Sequence, residues 1–433
     1  MRAAGPAAPD LDGLRALYRR PGPGAMAPAP PDNPTTPAKA ELGHRLFFDP
    51  ALSASGQTAC ATCHDPARGF TDGRSRARGA DGRSLRRRTP TLWNLAGAPF
   101  LFWDGRATGL EAQAEQPIEA HDEMGQPLAA LAERLAADPA YSAAFDAAFP
   151  EAPQPRTTGG NLVRAIAAWE RTLVSPPTRF DAWIEGNAAA LSASEVRGFL
   201  LFNGRAGCAN CHRSWAFTDH AFYDVGLPAS PDLGRGPVLG LERLDHAFKV
   251  PTLRETLRGG EGPFMHDGSL PTLAAVLDHY ERGVVERATL PPELPRHLAL
   301  SRRDRADLLA FLATLTSPPD VSLPPVVEPP AAPVAAVNLA PVKLARVSQR
   351  GRQFAPGRVA VERGGSVEIT NNDTTMHNIR VDALGLRLNS GVQDPGQVVT
   401  WRLDLPGHFV AFCGIHPRMR LEIDVAESAA EER

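Results

Sequence analysis

Residues 60–64 read Cys-Ala-Thr-Cys-His, and residues 208–212 read Cys-Ala-Asn-Cys-His. A Cys-x-x-Cys-His sequence places two thiols where they can bond to the vinyl groups of haem, and the histidine follows as an iron ligand. The alternatives are a thioredoxin-type redox pair and half of a zinc site, but zinc needs two further Cys or His ligands at matching spacing. Neither motif has such neighbours. The sequence therefore predicts two covalent c-type haems, attached at Cys60, Cys63, Cys208 and Cys211, with His64 and His212 as proximal ligands.

Length and composition set the frame around these motifs. The chain has 433 residues and a net charge of −3, so no global field favours nucleic acid or an anionic membrane. Gly and Pro make up about 18% of the residues, below the level of disordered low-complexity chains. No apolar run is long enough to span a membrane. We expect a multidomain, loop-rich globular protein.

The start of the chain conflicts with the haem motifs. Residues 1–35 are rich in Ala, Pro and Gly and contain no apolar segment of the kind that a secretory signal needs. Covalent attachment of c-type haem takes place outside the cytoplasm. We therefore expect a periplasmic protein whose export signal lies upstream or was truncated.

The residues from Ala38 to about Leu315 predict a mostly helical region with an internal repeat. The two motifs lie about one domain length apart, and a Leu-Phe pair precedes each of them. Apolar residues between the motifs recur at helical spacing, at Leu162, Ile166, Trp169 and Leu173. Residues 303–315 predict the closing helix of the second unit.

The pattern changes after this helical region. Residues 318–341 contain eight prolines and predict a semi-rigid tether. Short β-rich runs separated by Gly and Asn turn signals then follow, which favours a small β-sandwich.

A second metal motif lies near the end of this β-rich region. Residues 413–419 read Cys-Gly-Ile-His-Pro-Arg-Met, and His377 lies upstream. One thiolate, two imidazoles and a weak axial thioether form the blue-copper ligand set. We expect one type 1 copper held by Cys413, His416, Met419 and His377, the alternative being a free buried Cys with incidental neighbours. His408 is interpreted as a surface residue. Residues 342–426 resemble cupredoxins, amicyanin and pseudoazurin in particular.

The haem region also carries ordered motifs that point to a family. Around the first haem motif these include Gly69-Phe70-Thr71-Asp72-Gly73 and Phe102-Trp103-Asp104-Gly105-Arg106. The second half has Phe248-Lys249-Val250-Pro251-Thr252-Leu253-Arg254 and Met265-His266-Asp267-Gly268. Over about residues 10–316 the chain resembles the bacterial di-haem cytochrome c peroxidases, which include the MauG-type enzymes.

This resemblance implies a division of labour between the two haems. One haem reacts with peroxide and the other relays electrons to it. Cleavage of the O–O bond requires a proton to move from one oxygen to the other, which a poised carboxylate can accomplish. The family's distal residues match Gln113, Pro117 and Glu123, and Trp103 resembles the tryptophan between the haems. His266 is expected to support the second haem pocket.

Three departures from the family pattern refine the expectation. Many members have a distal His after the first motif, but residues 70–90 contain none, so the first haem should be open, as in MauG-type enzymes. Tyr280 stands where many relatives have the Met ligand of the relay haem; Met265 or a different or absent ligand are the alternatives. Relatives bind calcium with an Asn at the position of Arg88, which cannot ligate calcium, so a calcium ion is doubtful.

These inferences combine into one architecture. We expect two mainly α-helical cytochrome c-type haem domains followed by a β-sandwich cupredoxin domain. The predicted boundaries are 1–37 for an N-terminal extension, 38–180 for the peroxidatic haem domain, 181–317 for the electron-transfer haem domain, 318–341 for the linker, 342–426 for the cupredoxin domain and 427–433 for the tail.

Three functions are compatible with this architecture. The favoured one is reduction of hydrogen peroxide to water, with electrons passing from a one-electron donor through copper, the second haem and Trp103 to the first haem. The second is a MauG-like enzyme that oxidises residues of a partner protein through a high-valent state. The third is a non-catalytic electron carrier. The donor is expected to be a small redox protein or another one-electron reductant, and the resemblance leaves a homodimer open.

Overall fold

The computed structural model describes residues 11–260, 262–318, 339–383, 386–416 and 419–426. Most of the predicted Pro-rich linker and the predicted tail lie outside these ranges. A search of the described residues for a helix of membrane-spanning length and hydropathy finds none. The described chain is helical up to Ala313 and β-stranded from Val342, as the change of sequence pattern predicts.

The helical region contains thirteen helices in its described part. Their bounds are α1 Leu11–Tyr18, α2 Pro23–Met26, α3 Pro37–Phe48, α4 Cys60–Cys63, α5 Gly109–Glu119, α6 Leu128–Ala136, α7 Pro139–Ala148, α8 Gly159–Glu170, α9 Arg179–Ile184, α10 Ala193–Asn203, α11 Arg235–Leu239, α12 Leu273–Asp278 and α13 Arg302–Ala313. A small hairpin pairs β1 (Phe222–Asp224) with β2 (Ala247–Lys249). Leu162, Ile166 and Trp169 of the predicted apolar stripe lie on α8, whereas Leu173 lies beyond the end of this helix at Glu170.

The internal repeat is visible in how two helix pairs cross. α3 packs on α8, and α10 packs on α13. A Cβ at Gly43 of α3 would lie 1.9 Å from the carbonyl oxygen of Ala165, and one at Gly198 of α10 would lie 2.0 Å from that of Asp307. Each pair therefore needs a glycine at the crossing point, since any side chain would collide with the backbone of the partner helix. The same arrangement of two crossed helices is therefore repeated in the two halves of the helical region.

The C-terminal region is a β-sheet domain of eight described strands. Their bounds are β3 Val342–Arg350, β4 Gln353–Ala355, β5 Arg358–Asn371, β6 Ile379–Ala383, β7 Leu386–Asn389, β8 Val398–Leu403, β9 Gly407–Cys413 and β10 Arg420–Ala426. The strands pair in the order β4-β3-β5-β10-β9-β6-β7, and β8 also pairs with β5.

The long strand β5 joins the parts of this domain. Its first residues pair with β10, and residues 365–370 pair with β8. Alternate side chains of the strands are buried and form one apolar core, which includes Val367, Ile369, Ile423 and Cys413. The core thereby anchors the end of β9, where the metal motif begins.

Candidate functional site

The proximal histidines of the two haem motifs are held in the same way. The Nδ1 atom of His64 lies 3.0 Å from the carbonyl oxygen of Phe70, and Nδ1 of His212 lies 3.0 Å from that of Phe217. Both phenylalanines adopt a left-handed backbone, with φ of 59° and 53°. A proton on Nδ1 that is donated to this carbonyl leaves Nε2 free to bind a metal. Burial lowers the pKa of both imidazoles, which favours the neutral form that ligates iron.

The four motif cysteines are free and partly buried. Burial raises the pKa of the Cys60 thiol to about 12 and that of the Cys63 thiol to about 11, so both are neutral thiols at pH 7. Within the described residues, the one cluster of three or more potential metal ligands lies elsewhere, in the β domain. The thiols are therefore unpaired and neutral, and no additional ligands in the described part of the chain favour zinc.

A single cavity of about 600 Å³ connects the two motifs. Its lining includes nearly all the residues that the sequence predicts for the haem chemistry, namely Cys60, Cys63, His64, Trp103, Gln113, Pro117, Glu123, Cys208, Cys211, His212, Met265, His266 and Tyr280. Trp103 is 8% exposed, and its Nε1 donates to the carbonyl oxygen of Arg88 at 2.9 Å. The structure therefore brings these residues together around one space, and their individual roles stay predictions.

The predicted distal residues lie on α5 and on the turn that follows it. Gln113 and Pro117 belong to α5, and the amide of Glu123 donates to the carbonyl of Ala120 at 2.9 Å. Burial, together with the neighbouring carboxylate of Asp122, raises the pKa of Glu123 above its usual range. A carboxyl group with a raised pKa is better suited to give and retake a proton near pH 7.

The second motif faces a different set of side chains. Tyr280 lies on a π-helical turn, His279–Gly283, and its pKa is raised by burial and by the neighbouring Cys208 and Cys211. Burial disfavours a phenolate, so only a bound cation would stabilise that form. Met265 lines the same cavity. Both candidates for the sixth ligand therefore remain within the cavity.

His266 packs between aromatic groups. Its ring stacks on that of Phe248 with centroids 3.4 Å apart, and the Trp103 ring lies 6.5 Å away. Arg88 donates its backbone amide to the carbonyl of His266 at 2.8 Å. These contacts place Arg88, Trp103 and His266 in one network.

Two buried ionisable residues in the cavity lining were not singled out by the sequence. Burial lowers the pKa of Lys249 to about 8 and raises that of Glu170 to about 8. Glu170 is the last residue of α8, and its Oε2 has no hydrogen-bond partner among the residues that the structure describes. A carboxylate on an otherwise apolar helix face was the available signal. Lys249 lies in the Phe248–Arg254 motif, but nothing in the spacing of that motif indicates that the lysine is buried.

The β domain holds the second cluster of ligands. The side chains of His377, Cys413 and His416 place one ligand atom each within 4.8 Å of one another. Cys413 Sγ lies 3.5 Å from His377 Nδ1 and 3.7 Å from His416 Nδ1, and the two Nδ1 atoms are 3.1 Å apart. Three atoms of this kind, converging on one point, can hold a single metal ion.

The surroundings of the cluster fix the orientation of its members. Asp373 Oδ2 lies 3.4 Å from Nε2 of His377, which favours a proton on that nitrogen and leaves Nδ1 free. The backbone amide of His416 donates to Cys413 Sγ at 3.4 Å. The amide of Met419 donates to the carbonyl of His416 at 2.9 Å, which closes the loop, and Met419 is 1% exposed. His408 instead pairs with Asp424 at 2.7 Å.

Known proteins resemble the helical region. Residues 37–189 match the family model of the di-haem cytochrome c peroxidases. The methylamine utilization protein MauG of Methylorubrum extorquens is 46% identical over 72% of this chain and 86% of that protein. Cytochrome-c peroxidase IdrP1 of Denitromonas iodatirespirans is 37% identical over 68% of this chain and 86% of that protein.

A solved structure agrees with these relatives. It is that of a MauG-like protein associated with microbial copper homeostasis, and it matches with a TM-score of 0.63 and 30% identity over 73% of this chain and 96% of that chain. The chain therefore belongs to the di-haem cytochrome c peroxidase family, and it is an oxidoreductase with peroxide as its electron acceptor.

Proposed function

We propose that this protein reduces hydrogen peroxide to water in the periplasm, with electrons from a type 1 copper in its own β domain. They pass through the second haem and Trp103 to the first haem. The observation that carries this proposal is the convergence of His377, Cys413 and His416 in the same chain as the haem cavity. Two electrons and two protons convert each peroxide molecule into two molecules of water.

The residues around the cavity fit two covalent haems. Residues 38–180 would bind the first haem and residues 181–317 the second, each with two thiols and a neutral imidazole whose Nε2 is free. When bound, haem iron supplies the site where peroxide exchanges electrons. The chain contributes the proton transfer. Glu123 takes a proton from one peroxide oxygen and returns it to the other, Gln113 offers an amide to the polar substrate, and Pro117 forms part of the wall.

The β domain fits a cupredoxin with one type 1 copper. A thiol, two Nδ1 atoms and the thioether of Met419 make the ligand set that gives a blue-copper site. The hydrogen bond from the His416 amide to the sulfur is a feature that tunes such a site's potential. Covalent linkage makes the delivery of electrons intramolecular, so the rate no longer depends on the bulk concentration of a carrier.

Electron paramagnetic resonance tests this proposal on the protein loaded with haem and copper. We expect a high-spin ferric signal that disappears when peroxide is added, beside a Cu(II) signal with narrow hyperfine splitting. Copper that is reduced beforehand should be reoxidised within turnover. A Cys413→Ser variant, which lacks the thiolate, should lose the copper signal and keep the ferric ones. Two low-spin haems that do not respond to peroxide would contradict the enzyme and leave an electron carrier.

A second candidate is a MauG-like enzyme that oxidises residues of a partner protein. It is favoured by the identity to MauG and by Tyr280, which lines the cavity where other relatives have a Met ligand. The same experiment separates the two. If peroxide is consumed while reduced copper stays reduced, the MauG-like function is favoured; reoxidation of copper in each turnover favours the peroxidase.

A further inference from the structure

A buried arginine connects the two parts of the molecule. Arg235, at the start of α11, is 0% exposed. Its Nη1 donates to the carbonyl oxygen of Asp104 at 3.0 Å and to that of Gly105. Its Nη2 donates across the domain boundary to the carbonyl oxygen of Gly414 at 3.1 Å. One guanidinium group thus holds two loops that belong to different domains.

The two glycines leave the space that this arrangement needs. A Cβ at Gly105 would lie 2.7 Å from Arg235 Nη1 and 2.3 Å from the ring of Phe222. A Cβ at Gly414 would lie 2.6 Å from Asn378 Oδ1 and 3.2 Å from a methyl carbon of Leu239. A side chain at Gly105 would therefore displace Arg235 and Phe222, and one at Gly414 would crowd Asn378 and, across the domain boundary, Leu239. The geometry around the guanidinium group thus depends on a glycine in each of the two loops.

Aromatic rings complete the contact. The guanidinium of Arg235 lies 4.6 Å from the ring centroid of Phe100 and 4.4 Å from that of Phe222. Phe412 of the β domain packs its ring 5.9 Å from that of Phe100. Rings of this kind favour a planar cation over a flexible ammonium group, which explains an arginine here.

The position of the contact gives it a functional meaning. Gly414 follows Cys413 directly, and Asp104 follows Trp103. We infer that Arg235 is a positioning residue that fixes the metal-binding loop of the β domain against the Trp103 segment, so that electrons from copper reach the second haem from that wall of the cavity. This inference rests on the proposed function. It places the entry of electrons at the wall that both haem motifs share, and not at a surface beyond the second motif.

The test compares Arg235→Met and Arg235→Lys with the parent protein, all loaded with haem and copper. Copper is reduced beforehand, peroxide is added, and the rate of copper oxidation is recorded relative to peroxide turnover with a small-molecule donor. We expect Arg235→Met to slow copper oxidation at least about tenfold, because the domains stay covalently linked but the copper loop is no longer held in one geometry against the Trp103 segment. Arg235→Lys keeps the charge but cannot bridge both loops. Its rate of copper oxidation should therefore lie between that of Arg235→Met and that of the parent protein.

Arg243→Met is the matched control. Arg243 is exposed, belongs to the same part of the helical region, and its charge acts on Cys413 and Asp394. It removes an equal charge near the copper loop without breaking the bridge, so we expect copper oxidation within about twofold of the parent rate. An Arg235→Met rate that equals the Arg243→Met rate overturns the inference.

Amide hydrogen exchange gives a readout that does not depend on activity. Peptides that cover residues 98–107 and 407–416 should exchange faster in Arg235→Met, and at the parent rate in Arg243→Met, because the contact between the loops is lost in the first case alone. Unchanged exchange in Arg235→Met overturns the clamp. If copper stays reduced in the parent protein, the proposed function fails, and the exchange measurement still decides whether Arg235 holds the loops together.

Discussion

The part of the chain around the first haem motif and the part around the second, here called the first and second units, share a pair of crossed helices and differ in the side chains that line the cavity near their histidines. In both, a glycine marks the crossing of two helices, and a phenylalanine carbonyl accepts from the proximal histidine. The first unit adds Gln113 and Glu123 to the cavity, whereas the second adds Tyr280. Under the proposed function, the repeated scaffold orients a metal ligand, and the side chains beyond it decide whether the metal meets substrate or a protein ligand.

The largest expected effect comes from the acid of the first unit. Glu123→Gln removes the group that moves the proton while keeping its shape, and we expect peroxide turnover to fall about 10²–10⁴-fold. Steady-state kinetics with a small-molecule donor measure this. Glu115→Gln is the control, since Glu115 lies on the same helix and does not line the cavity. Equal rates in the two variants would remove Glu123 from the mechanism.

The shared scaffold predicts that the two units respond alike to one change. Gly43→Ala and Gly198→Ala each place a methyl group about 2 Å from a backbone oxygen, so the helices must separate. We expect each to lower the free energy of unfolding by about 2 kcal/mol or more. Denaturant unfolding of the haem-loaded protein measures it. Gly160→Ala, where a Cβ meets nothing within 4 Å, should be neutral or stabilising.

A marked difference between the two glycine variants would break the comparison. It would mean that one helix pair can separate to make room for the methyl group at little cost in free energy of unfolding, whereas the other cannot. Loss of about 2 kcal/mol in Gly160→Ala as well would show that the effect arises from glycine's backbone and not from the crossing.

The second unit is probed by its tyrosine. Tyr280→Phe removes the hydroxyl that would bind the second haem, and we expect a changed resonance spectrum of that haem with an unchanged spectrum of the first. Turnover with electrons from copper should fall about tenfold, because a ligand sets the potential of the relay. Tyr223→Phe is the control, since Tyr223 also lines the cavity but donates to Asp219 at 2.9 Å. An unaltered spectrum in Tyr280→Phe would favour Met265 or no ligand.

Much of the fold follows from the sequence because its signals are local. The Cys-x-x-Cys-His motifs, the apolar stripe of α8 and the β-rich runs each depend on neighbouring residues. The ligands Cys413 and His416 are three residues apart, so a tight loop brings them together. His377 lies 36 residues before Cys413, and the need of a blue-copper site for a second imidazole indicates it.

The features that escaped prediction are long-range. Arg235 contacts Gly105, which lies 130 residues before it in the chain, and Gly414, which lies 179 residues after it. No local pattern in the sequence encodes such contacts. The burial of Lys249 and Glu170 also depends on the packing of the whole cavity wall. Sequence patterns identify the ligands, whereas the contacts that hold one domain against another require the fold.

A pH-dependent effect sharpens the comparison of the two units at one pair of positions. Trp169 and Phe311 place their Cβ atoms against Gly43 and Gly198, respectively, so the next residues, Glu170 and Leu312, occupy equivalent positions in the two units. Both line the cavity. Burial raises the pKa of Glu170 to about 8, whereas an unfolded glutamate titrates near 4.5. The folded protein therefore holds a proton that the unfolded chain has released.

Between these two pH values the unfolded state binds fewer protons, so the free energy of unfolding falls as pH rises, by at most about 1.4 kcal/mol per pH unit. Glu170→Leu installs the residue of the second unit and should abolish this slope between about pH 5 and 8. Unfolding of parent and variant in a pH series checks it. If the free energy of unfolding of Glu170→Leu still falls with pH as in the parent, the pH dependence belongs to other groups. The carboxyl group of Glu170 would then be ionised in the folded protein and paired with Arg171, whose charge acts on it. A slope that disappears would show that the first unit maintains a neutral acid where the second has only an apolar wall.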